Sequence, residues 1–161
     1  MRLWTTDVET DSLFLREITK ELSPEHLNSP EFAMLKSGML STVNDPENRG
    51  VGIAAPQVGI PYRLIAVQRF DKEGEPFEFY INPRITWHSE VRKGGIEGCL
   101  SIPNVNGVVE RSDEIEISYT GEVTGETFTE KVRGYTAVIF QHEIDHLDGI
   151  LFTDRVKTAT E

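Results

Sequence analysis

Two histidines four residues apart, His142 and His146, frame Glu143, Ile144 and Asp145. An α-helix returns to nearly the same face after four residues, so both imidazoles can address one ion. Glu143 is turned from them by about 100°. It therefore stands beside the ion rather than on it, where a general base for an ion-activated water belongs. A catalytic site of this type takes three protein ligands and keeps one position open. The pattern alone leaves the third ligand undecided between Cys99 and one of the many carboxylates. A thiolate there would soften the site and favour ferrous iron, zinc, cobalt or nickel over magnesium or calcium. Asp145 has two equal readings, as an orienter of a ligand or as a structural hydrogen-bonding group.

Two further stretches carry chemistry-bearing residues. In Gly50-Val51-Gly52-Ile53-Ala54-Ala55-Pro56-Gln57, glycines at alternate positions suit a backbone that passes close to a ligand or a second chain, or a tight turn before a strand. In Glu97-Gly98-Cys99-Leu100-Ser101-Ile102-Pro103, the one cysteine of the chain is followed by an expected loop bounded by Pro103 and Gly107, a setting that suits a ligand better than a core site.

The elements that must position these residues follow from periodicity. The motif helix is expected to be capped by Thr136, to be apolar nearly all round through Ala137-Val138-Ile139-Phe140, and to stop at Gly149. A second helix is expected from Ser29-Pro30 to about residue 44, with Phe32, Leu35, Met39, Leu40 and Val43 at three- and four-residue steps. Leu64–Val67 reads as a buried strand, and Phe77–Ile81 as its return, broken by Asn82-Pro83. Ile85–Val91 reads as another short strand, and Ile115–Tyr119 with Phe128–Val132 as an antiparallel hairpin. Residues 1–25 read as a partly extended lead-in, and 156–161 as a frayed tail. His26 and His88 read as surface or packing histidines.

With 161 residues, the expectation is one catalytic domain spanning 1–161. A net charge of −11 argues against nucleic-acid binding and against an anionic membrane surface. No apolar run approaches the ~20 residues of a membrane span. The polar N-terminus and single cysteine make a reducing, cytoplasmic setting the expectation, and a monomer is the default.

Taken together, the three stretches closed by Gln57, by Leu100-Ser101 and by His146 resemble, in order, the three motifs of the peptide deformylases. The likeness runs from the helix near Phe32 to about Asp154, and the end soon after Arg155 is similar to the short-tailed forms that lack a longer C-terminal helix. The resemblance implies an α+β fold, with antiparallel β-sheets around a central metal-binding helix. It implies removal of the formyl group from N-formylmethionyl peptides, releasing formate, with transient contact with the ribosome. It implies one divalent metal, Fe(II) by preference and Zn, Ni or Co as substitutes, held by Cys99, His142 and His146. Metal-bound water would attack the formyl carbon with Glu143 as acid/base, while Gln57 and the Leu100 amide hold the formyl oxygen. Val51 and Gly52 would pair with the substrate main chain, and Val138 and Ile139 would line the methionine pocket. Two rivals share the helix motif: another H-E-x-x-H metallopeptidase, and a non-catalytic metal-binding domain.

Overall fold

A computed structural model describes residues 1–157. The chain order is α1 (Glu9–Leu15), α2 (Pro24–Leu27), α3 (Pro30–Asn44), β1 (Gly52–Ala54), a 3-10 turn (Ala55–Val58), β2 (Leu64–Gln68) and β3 (Phe77–His88). It continues through β4 (Arg92–Cys99), β5 (Ile102–Ser112), β6 (Glu114–Thr120), β7 (Thr127–Arg133) and α4 (Gly134–Leu147), a second 3-10 turn (Phe152–Asp154), and β8 (Val156–Lys157). The strands form two antiparallel sheets, β1-β2-β3-β6-β7 and β4-β5-β8, which makes the fold α+β.

Helix α4 lies against the larger sheet. Ala137, Ile139, Phe140, Ile144 and Leu147 pack on Ile65, Val67, Ile115, Ile117 and Val132. The alternate residues of β2, Leu64 and Ala66, point the other way, into a second cluster with Phe32, Met39 and Val43 of α3. β2 is therefore buried on both faces, which explains its uninterrupted apolar run. A third, smaller cluster of Leu15, Ile102, Val109, Leu151 and Phe152 closes the core beside the β4–β5 sheet. No helix among the described residues is long and apolar enough to cross a membrane.

Helix α3 starts as its sequence predicts, with Ser29 accepting a hydrogen bond from the Phe32 amide and Pro30 in the first turn. Several expectations are corrected. The lead-in is not simply extended: α1 forms within it, because Leu15 is needed in the third cluster and Asp11 is pinned by Arg2 and the Thr5 amide. Thr136 does not cap α4. The helix begins at Gly134 directly after β7, and Thr136 is buried in its first turn. Asn82-Pro83 does not end β3, which runs through to His88 over a bulge. Asn82 takes a left-handed conformation, φ 51°, and brackets both main-chain groups of Leu22, while the missing N–H of Pro83 falls in the bulge. The expected loop after Cys99 is only a two-residue turn, with β5 running from Ile102 across Pro103 and Gly107. In the tail, Val156 and Lys157 pair with β5 as β8, and 158–161 lie outside the described residues.

Candidate active site

Two segments converge on the face of α4 that carries His142 and His146. The end of β4 brings Cys99, and the stretch from Val51 through the first 3-10 turn brings Gln57. Cys99 Sγ lies 3.3 Å from His146 Nε2, and ligand atoms of Cys99, His142 and His146 all fall within 4.8 Å of one another. Two donors on one tetrahedral ion, with metal–sulfur near 2.3 Å and metal–nitrogen near 2.0 Å, sit about 3.5 Å apart. The spacing fits a single ion. Among the described residues no fourth His, Cys or carboxylate joins the three, which leaves a coordination position open.

Each imidazole is prepared differently. His142 Nδ1 is held by Glu97 Oε1 at 2.9 Å, leaving Nε2 as its free donor atom. Burial pulls the His142 pKa down, but Cys99 and Glu97 outweigh it and raise it to about 10. His146 is fully enclosed, and burial, with the charge of His142, drives it well below its ordinary value, so it is neutral. Neutral imidazole is the form that binds a cation.

Behind His142 runs a buried chain of charges. Glu97 receives two hydrogen bonds from Arg111, both 2.9 Å, and Arg111 donates a third to Asp145 at 2.7 Å. Asp145 is also gripped by Arg155 at 2.7 and 2.9 Å. Burial pushes the Glu97 carboxyl up, yet His142 and Arg111 together bring it down to about 2. Asp145 thus faces Arg111 and Arg155 rather than a candidate ligand, which favours the structural of its two readings. Arg111 and the role of Glu97 escaped the motif analysis. Arg111 shares its strand face with the buried Val109, two residues back, so an inward-facing charge was the available signal.

Glu143 is buried, and its Oε1 has no hydrogen-bond partner among the described residues. Burial raises its pKa to about 7, with His142 and Arg111 restraining the rise. Gly52 lies against it: a Cβ there would meet Glu143 Oε2 at 2.7 Å and Ile139 Cγ2 at 2.9 Å. Gly52 therefore serves close approach to the base, whereas a Cβ on Gly50 would meet Val43 and Leu100, so these glycines mark crowded packing and not a turn alone.

Gln57 is locked. Its Oε1 accepts from the Ala54 amide at 2.9 Å, while Nε2 points to Ser101 Oγ at 3.1 Å and Cys99 Sγ at 3.6 Å. The amides of Leu100 and Val51 have no partner among the described residues, whereas the Val51 carbonyl is taken by the Gln68 amide at 2.9 Å. Val51, Gly52, Gln57, Cys99, Leu100, Val138, Ile139, His142 and Glu143 all line one cavity of about 730 Å³ that extends along β4, while His146 is buried and is not among its lining residues. His26 and His88 lie elsewhere, His26 against Ser23 and Tyr62 and His88 exposed.

The family model for polypeptide deformylase matches residues 7–161. This chain belongs to the peptide deformylase family. A peptide deformylase of Caulobacter vibrioides is 38% identical over 157 residues, covering 96% of this chain and 87% of the relative. The Met-Ala-Ser-bound class I type b peptide deformylase of Acinetobacter baumannii superposes with a TM-score of 0.84 at 34% identity, covering 97% of this chain and 98% of that one. The Thermotoga maritima peptide deformylase does so with a TM-score of 0.82 at 32% identity, covering 98% and 97%.

Proposed function

We propose that this chain hydrolyses the formyl amide of N-formylmethionyl peptides, releasing formate, with Cys99, His142 and His146 holding one divalent ion and Glu143 moving the proton. The observation that carries the reading is the convergence of three ligand atoms within 4.8 Å beside a buried carboxylate whose Oε1 has no partner among the described residues. Family membership and the Met-Ala-Ser-bound relative support the same substrate class. Fe(II) is the proposed resident ion, with Zn, Ni or Co competent in its place. When bound, the ion supplies an acidified water and a positive charge close to the formyl oxygen.

The chain's own groups do the rest. Glu143, at about 7 before any ion is bound, takes a proton from the attacking water and returns it to the leaving amine. The charge that grows on the formyl oxygen is met by the Leu100 amide and Gln57 Nε2, from two residues that line the cavity, the latter fixed in orientation by Ala54. A donor of this kind contributes on the order of 3 kcal/mol to the barrier. The Val51 amide and the Gly52 main chain pair with the peptide backbone as an added strand. Val138 and Ile139 line the methionine pocket. Residues 1–161 act as one catalytic domain, monomeric and cytoplasmic, meeting nascent chains at the ribosome only transiently.

Paired substrates test the reading. Formyl-Met-Ala-Ser should yield formate and intact Met-Ala-Ser, while acetyl-Met-Ala-Ser should be turned over at least tenfold more slowly. Cleavage of internal peptide bonds would instead make this a peptidase.

A further inference from the structure

The N-terminal segment reaches the back of the site in a way no motif announces. The Trp4 amide donates to the Gln57 carbonyl at 2.7 Å, and two residues on the Thr6 amide donates to the Ser101 carbonyl at 2.9 Å. One short piece of chain thus ties together the two stretches that carry the proposed oxyanion donors, Gln57 and Leu100. We propose that Trp4–Thr6 is a positioning strap, setting how those two donors stand relative to each other; the proposal rests on the deformylase reading above.

The strap is itself clamped. The Trp4 ring lies on Gly59, where a Cβ would come within 2.4 Å of the indole, so only glycine admits it. Gly59 is left-handed, φ 82°, and ends the 3-10 turn that holds Gln57, so the ring and the Trp4 amide together grip the C-terminal end of that turn. On its other side Trp4 packs against Phe14 of α1, ring centroids 4.7 Å apart, with the Arg2 guanidinium 5.0 Å above the indole. Arg2 in turn holds the buried Asp11 through two hydrogen bonds, at 2.7 and 3.0 Å, and Asp11 accepts the Thr5 amide at 3.1 Å. None of these residues touches the cavity, so the strap acts only through Gln57 and the Leu100–Ser101 turn. Because Gln57 Nε2 also meets Ser101 Oγ, the strap and this side-chain contact join the same two stretches from both sides. Loosening it displaces transition-state donors without removing a ligand or a substrate contact. A misplacement of about 1 Å can cost on the order of a hundredfold in rate.

The test uses the ion-loaded full chain and formyl-Met-Ala-Ser. Trp4→Ala should lower kcat about tenfold or more with KM within about twofold and ion content still one per chain, and Trp4→Phe should restore most of the loss by keeping a ring on Gly59. In a Gln57→Ala background the cost of Trp4→Ala should shrink to about threefold or less, because one of the two donors whose relative placement it sets is gone. If Trp4→Ala fails to fold, Arg2→Ala, at a more exposed position, should show the same split and the same dependence on Gln57 in milder form. Losses that multiply independently of Gln57, or that fall on KM or ion content, overturn the strap. A parent protein that releases no formate overturns the deformylase reading itself, and the strap with it.

Discussion

Gly52→Ala puts the smallest side chain at the point where β1 meets the proposed base. The new Cβ would sit 2.7 Å from Glu143 Oε2, whereas ordinary contact begins at 3.4 Å, a shortfall of about 0.7 Å. Ile139, one turn before Glu143 on α4 and 2.9 Å from the new Cβ, is buried in the α4 cluster and has little room to give. The carboxylate must move instead. Displacements near 1 Å cost on the order of a hundredfold in rate, so kcat should fall ten- to a hundredfold, which is about 2 kcal/mol of barrier. Main-chain pairing with the peptide survives, so KM should move less. Overpacking costs about 1–3 kcal/mol, part of it offset by the stiffer unfolded chain, and a fall of a few degrees in Tm should accompany it. Formate release measured with a coupled dehydrogenase, on protein carrying one ion per chain, reads the effect. A Gly52→Ala enzyme that keeps kcat within twofold would refute the placement of Glu143 against β1 as the reason for the glycine.

Other perturbations probe the layer behind the ligands. Arg111→Met leaves the buried Glu97 without its counter-charge, a loss of about 3–5 kcal/mol that should lower Tm by roughly 10 °C; ion affinity in a chelator competition should drop ten- to a hundredfold, and unchanged values for both would count against the chain of charges. Apoprotein at neutral pH holds a proton on His142, whose pKa is raised to about 10, and that proton must leave when the imidazole binds an ion. Loading in weak buffer at pH about 7.5 should therefore release close to one proton per ion or more, and affinity should fall as pH falls; a loading step without proton release would contradict this. Glu97 is depressed from 4.5 to about 2, so its contribution to apoprotein stability, on the order of 3 kcal/mol, is present above pH 4.5 and lost as pH falls toward 2. Glu97→Gln should flatten that part of the acid-unfolding curve.

Much of the site was legible because its chemistry is local in sequence. The four-residue step of His142 and His146 needs only a helix to become a ligand pair, and α4 supplies it. The Gly50–Gln57 stretch likewise announces itself, since both of its glycines stand where a Cβ would clash, Gly50 on Val43 and Leu100 and Gly52 on Glu143 and Ile139. What escaped is long-range. Arg111 reaches Glu97 across 14 positions and Asp145 across 34, and nothing in a one-dimensional pattern says that an arginine on a strand meets them. The same holds for Trp4, whose amide finds the Gln57 carbonyl only once the chain has folded back. Local propensity also misled. Asn82-Pro83 reads as a strand break, but pairing with β6 on either side carries β3 through as a bulge. Thr136 reads as a cap, but the short path out of β7 starts the helix at Gly134.

The central claim is that an ion at Cys99, His142 and His146 works together with Glu143 on a formyl amide. The most direct test is anaerobic purification, ion quantification, and formate release from formyl-Met-Ala-Ser by the parent and by Glu143→Ala. The account expects about one ion on each protein and formate from the parent, with the variant slowed at least a hundredfold. One ion on both with no formate from either, or equal formate from both, would contradict it.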